Sequence, residues 1–170
     1  MSEGGRILGI DLGERRIGLA LADDAGSPPR PHSTLRRGHA ADDDARRLAA
    51  IIAAEAVAEI VVGLPLEASG REGEQARRTR DWVEKLTPAL DVPMAYRDER
   101  LSSHLAEQRL GPMPRGRSGG PPTPHQREEY RARVDREAAA IILEDELDAR
   151  RGRQAATSTG TTGTPAGSTS

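Results

Sequence analysis

The spacing of apolar positions along this chain changes character once, near residue 40. Residues 6–12 and 16–23 are almost continuously apolar, too short for core helices and joined by the polar turn Gly13-Glu14-Arg15, so both read as strands. Residues 24–29 form a loop with Gly26, Pro28 and Pro29. A weaker third strand follows at 30–36, where Pro31 restricts it to a sheet edge. These segments predict an antiparallel meander. From 41 to 57 the period lengthens: Ala45, Leu48, Ile51 and Ile52 lie three and four apart on one helical face. Asp42, Asp43 and Asp44 occupy the first turn, where the helix dipole favours negative charge.

Residues 59–65, Glu-Ile-Val-Val-Gly-Leu-Pro, then read as a strand buried on both faces, as in a parallel sheet. A polar loop spans 67–73. The next helix covers 74–86, with Ala76, Thr79, Val83 and Leu86 on one face and Trp82 beside them, and a fifth strand covers 92–96. Strands alternating with helices imply right-handed crossovers and parallel pairing. The expected α/β architecture is a mixed five-stranded sheet, meander plus parallel strands, flanked by helices. Ser102 or Ser103 is placed to cap a short helix after Arg97-Asp98-Glu99-Arg100. Gly111 to Pro124 reads as a mobile surface loop. A last helix is expected at 126–149, striped by Val134, Ala138, Ile141 and Ile142, with Asp135 at the border of the stripe. Residues 1–150 would form one domain, and 151–170, rich in Ser, Thr and Gly, a disordered tail.

Composition narrows the chemistry. With no Phe and an aromatic content of 2%, the core must be built from Ala, Val, Ile and Leu. The absence of Cys excludes thiol catalysis, disulfides and thiolate metal sites. A net charge of −2 gives no global basic field, although a local basic patch remains compatible with it. Lys85 is the single lysine, so the positive charge is nearly all Arg. Residues 1–6 contain no apolar leader-like core and no run reaches membrane-spanning length, which predicts a soluble, cytoplasmic chain.

One residue stands apart from these patterns. Asp11 lies inside an apolar strand between Gly9 and Gly13. A buried carboxylate is costly unless a cation or donor offsets it, and the flanking glycines let a metal, phosphate or second backbone come close. Open α/β sheets bind ligands at the carboxyl ends of their parallel strands. Glu99, just past the fifth strand, would emerge at the same rim as Asp11, and Asp135 could reach it from the final helix. Three carboxylates without Cys or paired His suit Mg²⁺ or Mn²⁺, and two such ions could clamp a phosphodiester displacement. Spacing leaves a second reading open, in which Asp98 and Glu99 form a solvated turn and Asp135 pairs with Arg131. His32, His39, His104 and His125 are scattered without ligand spacing.

Five blocks together resemble one family: Gly9-Ile10-Asp11-Leu12-Gly13 with Arg16-Ile17-Gly18-Leu19-Ala20; Ile60 to Leu66; Gly70 to Gly73; Asp98 to Ser103; and Val134 to Ala139. Over about residues 6–149 the chain is similar to the YqgF/RuvX family of pre-16S rRNA nucleases, which are Holliday-junction-resolvase-like. The resemblance implies an RNase H-like fold and a metal-dependent nuclease that trims the 5′ end of precursor 16S rRNA. It implies Asp11, Glu99 and Asp135 as catalytic metal ligands. The chain departs from the family in having Glu67 and Ser69 after Gly-Leu-Pro-Leu, and in a less basic stretch before Val134, where Glu128 and Glu129 offset Arg127, Arg131 and Arg133. Arg15, Arg16 and Arg100 are then the candidate nucleic-acid contacts. Competing readings are a DNA junction resolvase, a non-catalytic nucleic-acid-binding assembly factor, and, more remotely, an ATP-binding domain with an actin-like Asp-x-Gly hairpin.

Overall fold

The computed structural model describes residues 4–23 and 26–159. Five strands form one sheet: β1 (Arg6–Leu12), β2 (Arg16–Ala22), β3 (Arg30–Arg36), β4 (Val57–Leu64) and β5 (Met94–Asp98). Their spatial order is β3-β2-β1-β4-β5. The β1–β2 and β2–β3 pairs are antiparallel, whereas β1–β4 and β4–β5 are parallel. This is the RNase H-like arrangement, and the centres of β1 and β4 are apolar, apart from Asp11, because both of their faces are covered.

Helices α1 (Ala41–Glu55) and α2 (Glu74–Leu86) cover one face, over a core that includes Leu8, Ile10, Leu19, Ile60, Leu48, Trp82 and Leu86. Asp44 is buried there because its carboxylate accepts from Trp82 Nε1 at 3.0 Å and from the Gly38 amide at 2.8 Å. Helix α4 (Pro124–Thr159) covers the other face, packing Ala139, Ile142, Leu143 and Leu147 on Ile7, Ala20, Ala22 and Val61. Helix α3 (Ser102–Leu110) packs beside α4 through Ala106, Tyr130, Val134, Ala138 and Ile141.

The α4 face of the sheet is made of small residues, which sets how closely the helix lies. A Cβ on Gly9 would stand 2.8 Å from the Ala139 carbonyl oxygen, and one on Gly18 would stand 2.0 Å from that of Asp135. Helix backbone therefore rests almost directly on strand backbone.

Several boundaries move from their expected places for local reasons. Helix α1 stops at Glu55 because Ala56 adopts a left-handed conformation, φ 51°, which reverses the chain and starts β4 at Val57. Helix α4 begins at Pro124, where the Thr123 hydroxyl accepts from the Gln126 amide and Gln126 Oε1 accepts from the Thr123 amide. That is a reciprocal capping box with proline in the first helical position. The loop ahead of α4 is tied down: Tyr130 donates to the Gly111 carbonyl at 2.7 Å, and Gln126 donates to that of Arg115 at 3.3 Å.

At its far end α4 continues past the expected boundary at 150, with residues 151–159 helical and exposed. Arg150 bridges Glu146 and Glu59, and Arg151 pairs with Asp148. Extending a formed helix costs far less than nucleating one, so a segment without a core can still coil there. Residues 160–170 of the expected tail lie outside the described residues. Among the described residues no helix is long and apolar enough to cross a membrane.

Candidate active site

Alternation along β1 puts Asp11 on the same face as Gly9, under α4. Its neighbour on β2 is Gly18. The register that pairs Ile10 with Val62 brings Asp11 abreast of Gly63 on β4. Asp11 is thus flanked by two strand positions without side chains, and is itself only 7% exposed.

Glu99 uses the space left at Gly63. Strand β5 ends with Asp98 opposite Leu64, and the Glu99 amide extends the ladder by donating to the Leu64 carbonyl at 3.2 Å. The side chain then turns back over the sheet. Its Oε2 lies 2.5 Å from the point a Cβ on Gly63 would occupy. There Glu99 meets Asp11, and the two carboxyls are joined by a hydrogen bond. The Ser102 hydroxyl donates to the Glu99 carbonyl at 3.2 Å and lies 3.4 Å from Oε2, so it braces the turn; Leu101 takes the cap position expected for Ser102 or Ser103.

Burial pushes the titration of both carboxyls up. Glu99 is raised further because it also faces the charge of Asp11, and the charge of Asp135 adds to the effect on Asp11. No Arg or Lys of the described residues forms an ion pair with either carboxyl, so the pair keeps a proton where isolated carboxylates would have lost theirs. Asp135 sits above them on α4, but its Oδ2 accepts from Arg16 Nε at 2.5 Å. The same guanidinium reaches Glu128 at 3.4 Å.

The structure therefore joins Asp11 to Glu99 directly and holds Asp135 nearby on an arginine. The partner of Asp135 is Arg16 rather than Arg131, and Arg16 is engaged by two acids instead of standing free for nucleic acid. Arg100 is likewise anchored, by Asp98 at 2.8 Å and by the Ala68 carbonyl at 3.4 Å. Arg15 is exposed. It lines a hollow of about 320 Å³ with Arg16, Arg36, Arg37, Glu14 and Glu128. Arg36 and Arg37 are additions that the sequence reading missed; the available signal was the pairing of β3 with β2, which sets Arg36 opposite Arg16. His104 is exposed and faces Gln108 at 3.1 Å. A hollow of about 830 Å³ is on the opposite face between α1 and α2, lined by Arg37, Asp44, Trp82 and Lys85 among others.

The donors suit a hard divalent cation. They are carboxylate oxygens only, and two of them share a proton that a cation would displace. Asp11 and Glu99 fit such an ion as they stand. Asp135 is committed to Arg16, and among the described residues no three acidic or His side chains are grouped to hold one ion.

Comparison with known proteins decides the family. A family model described as "RuvX: Holliday junction resolvase" matches residues 5–149. The chain belongs to the RuvX family. Relatives within it carry the name "Putative pre-16S rRNA nuclease". One from Anaeromyxobacter sp. (strain Fw109-5) is 45% identical over 145 residues, covering 85% of this chain and 98% of the relative. One from Roseiflexus sp. (strain RS-1) is 38% identical over 150 residues, covering 88% and 99%. Among solved structures, T. thermophilus RuvC in complex with a Holliday junction substrate aligns at 17% identity and a TM-score of 0.49, covering 86% of this chain and 96% of that one.

Proposed function

We propose that the protein is a divalent-metal-dependent nuclease acting in the cytoplasm on precursor 16S rRNA. The observation that carries this reading is the Asp11–Glu99 pair at the sheet rim, Asp11 buried and Glu99 half-buried, with Asp135 above it on α4. Asp11 and Glu99 would hold Mg²⁺ or Mn²⁺, and Asp135 would join them on exchanging Arg16 for the ion. When bound, the ion supplies an acidified water and charge neutralisation at the scissile phosphate.

The chain's own residues do the rest. Asp11 and Glu99 hold a proton between them that a bound cation would displace. Arg16 fixes the carboxylate of Asp135 and balances its charge. Gly63 gives Glu99 the room to reach Asp11. Arg15, Arg36 and Arg37 present guanidinium groups beyond Arg16, where phosphates of the bound strand can lie. The RNA substrate is drawn from the names of the relatives. The family description favours a second reading, cleavage of a DNA junction.

The test is Mn²⁺-dependent cleavage of a precursor 16S rRNA fragment, with a four-way DNA junction as a parallel substrate. Asp11→Asn, Glu99→Gln and Asp135→Asn should each lose more than the about 10–100-fold typical of groups that merely support a metal ligand. Equal rates for wild type and all three variants would overturn the catalytic reading, and cleavage confined to the junction would overturn the RNA assignment.

A further inference from the structure

Arg16 stands between the carboxylates and the arginine-lined hollow, and its two edges are held differently. Nε donates to Asp135 Oδ2 at 2.5 Å, and the two side chains are only 17% and 19% exposed. Nη1 reaches Glu128 at 3.4 Å, and Glu128 is 44% exposed. One edge is therefore close and shielded, and the other is loose and open beside Arg15, Arg36 and Arg37.

The close edge occupies an oxygen that a cation would need. Hydrogen bonds between ionised groups are among the strong ones, so Arg16 withholds Asp135 from Asp11 and Glu99 in the free protein. Neither backbone is free to undo this. The Gly13 amide donates to the Arg16 carbonyl at 2.8 Å, Arg16 pairs with Arg36 across β2 and β3, and the Asp135 carbonyl lies against Gly18. A change of partners is then a rotation of two side chains, with strand and helix in place.

Resting on the nuclease reading above, we propose that Arg16 is a positioning residue that occupies Asp135 in place of the metal and hands it over when a nucleic-acid phosphate enters the hollow. The exchange keeps charges matched. The cation replaces the guanidinium on Asp135, and the phosphate replaces Asp135 on the guanidinium, with Glu128 yielding the open edge. Strand and divalent cation therefore bind cooperatively, each raising affinity for the other by the same factor.

The experiment is a cycle of Mn²⁺ titrations by calorimetry on the whole chain without nucleic acid: wild type, Arg16→Gln, Asp135→Asn and the double variant. With its competitor gone, Arg16→Gln should bind Mn²⁺ about tenfold more tightly, near the low end of what a hydrogen bond between charged groups is worth. In the Asp135→Asn background the same change should gain less than about twofold, because no carboxylate is released. Weaker or unchanged affinity in Arg16→Gln would overturn the handover, since losing a residue that merely props Asp135 weakens the site. So would an equal gain in both backgrounds, which marks only the removal of a nearby positive charge. In a second arm, fluorescence anisotropy follows a labelled oligo-rA 12-mer in EDTA and in Mn²⁺, with strand integrity read on a gel. Mn²⁺ should tighten binding by wild type, and Arg16→Gln should lose most of that enhancement; equal enhancement in both would overturn the coupling. Should the variants fail to fold, wild type still decides: saturating Mg²⁺ should shift the Arg16 Nε–H resonance, and a stationary signal would overturn the handover. Cleavage of the rRNA fragment is scored separately: cleavage without the Mn²⁺ gain leaves the nuclease reading standing, and the gain without cleavage removes only that reading.

Discussion

Gly63→Ala isolates the geometry of the carboxyl pair from its chemistry, because it changes neither acid. The new methyl would stand 2.5 Å from Glu99 Oε2 and 2.5 Å from Ile142 Cδ1, where ordinary contact begins near 3.4 Å. Both obstacles are ends of flexible side chains, so the strand can stay and Glu99 must retreat by about 1 Å. Overpacking of this kind costs about 1–3 kcal/mol, and replacing glycine by alanine returns about 0.4–1 kcal/mol through the unfolded chain. The net loss of stability should be about 1 kcal/mol, read from urea unfolding. The cost to function should be far larger, because a misplacement of about 1 Å at reacting groups lowers rates about 100-fold. The assay is cleavage of the precursor rRNA fragment in Mn²⁺, alongside carboxyl ¹³C titration of Glu99, which should move down part of the way as the side chain leaves its buried place and draws back from Asp11. A Gly63→Ala protein that is folded, cleaves within twofold of wild type and keeps the raised Glu99 titration would refute the reasoning.

Two further outcomes follow from the same packing. Gly18→Ala should destabilise by about 3 kcal/mol or more, beyond the usual overpacking cost, because its methyl would stand 2.0 Å from the Asp135 carbonyl oxygen and helix backbone cannot yield as a side chain does; thermal unfolding checks this, and an unchanged midpoint would mean α4 is not seated as described. In EDTA, stability should fall as pH rises from 5 to 8. Asp11 and Glu99 are raised in the folded state, so native protein holds more protons than unfolded chain in this window, and each retained proton costs about 1.4 kcal/mol per pH unit. Urea midpoints across that range should show a shallower slope in Asp11→Asn, where buried Glu99 still holds its proton, and should lose the slope in the presence of Mn²⁺, which takes the proton's place.

What the chain revealed in advance was local. The strand identities of β1 and β4 and the extent of α2 follow from residues adjacent in sequence, and so does the oddity of Asp11. The pairing of Asp11 with Glu99 depends on a glycine of a third segment, Gly63, whose importance lies in the side chain it lacks. The attachment of Asp135 to Arg16 depends on how closely α4 settles on Gly18, which no spacing within α4 encodes. The start of α4 was legible in Thr123-Pro124-His125-Gln126, yet was masked by the surrounding proline-rich composition. Continuation of the helix through Thr159 runs against residue preference, carried by the turn already formed before it and by Arg150.

The carboxylates at the rim come from the first strand, the segment after the fifth, and the last helix described. During synthesis the first two emerge well before the third, and the sheet face that α4 shields stays open until that helix is released. Any cutting that needs all three would therefore wait until α4 has emerged and settled on the sheet. A nuclease built in this order would stay inert through the synthesis of its first five strands.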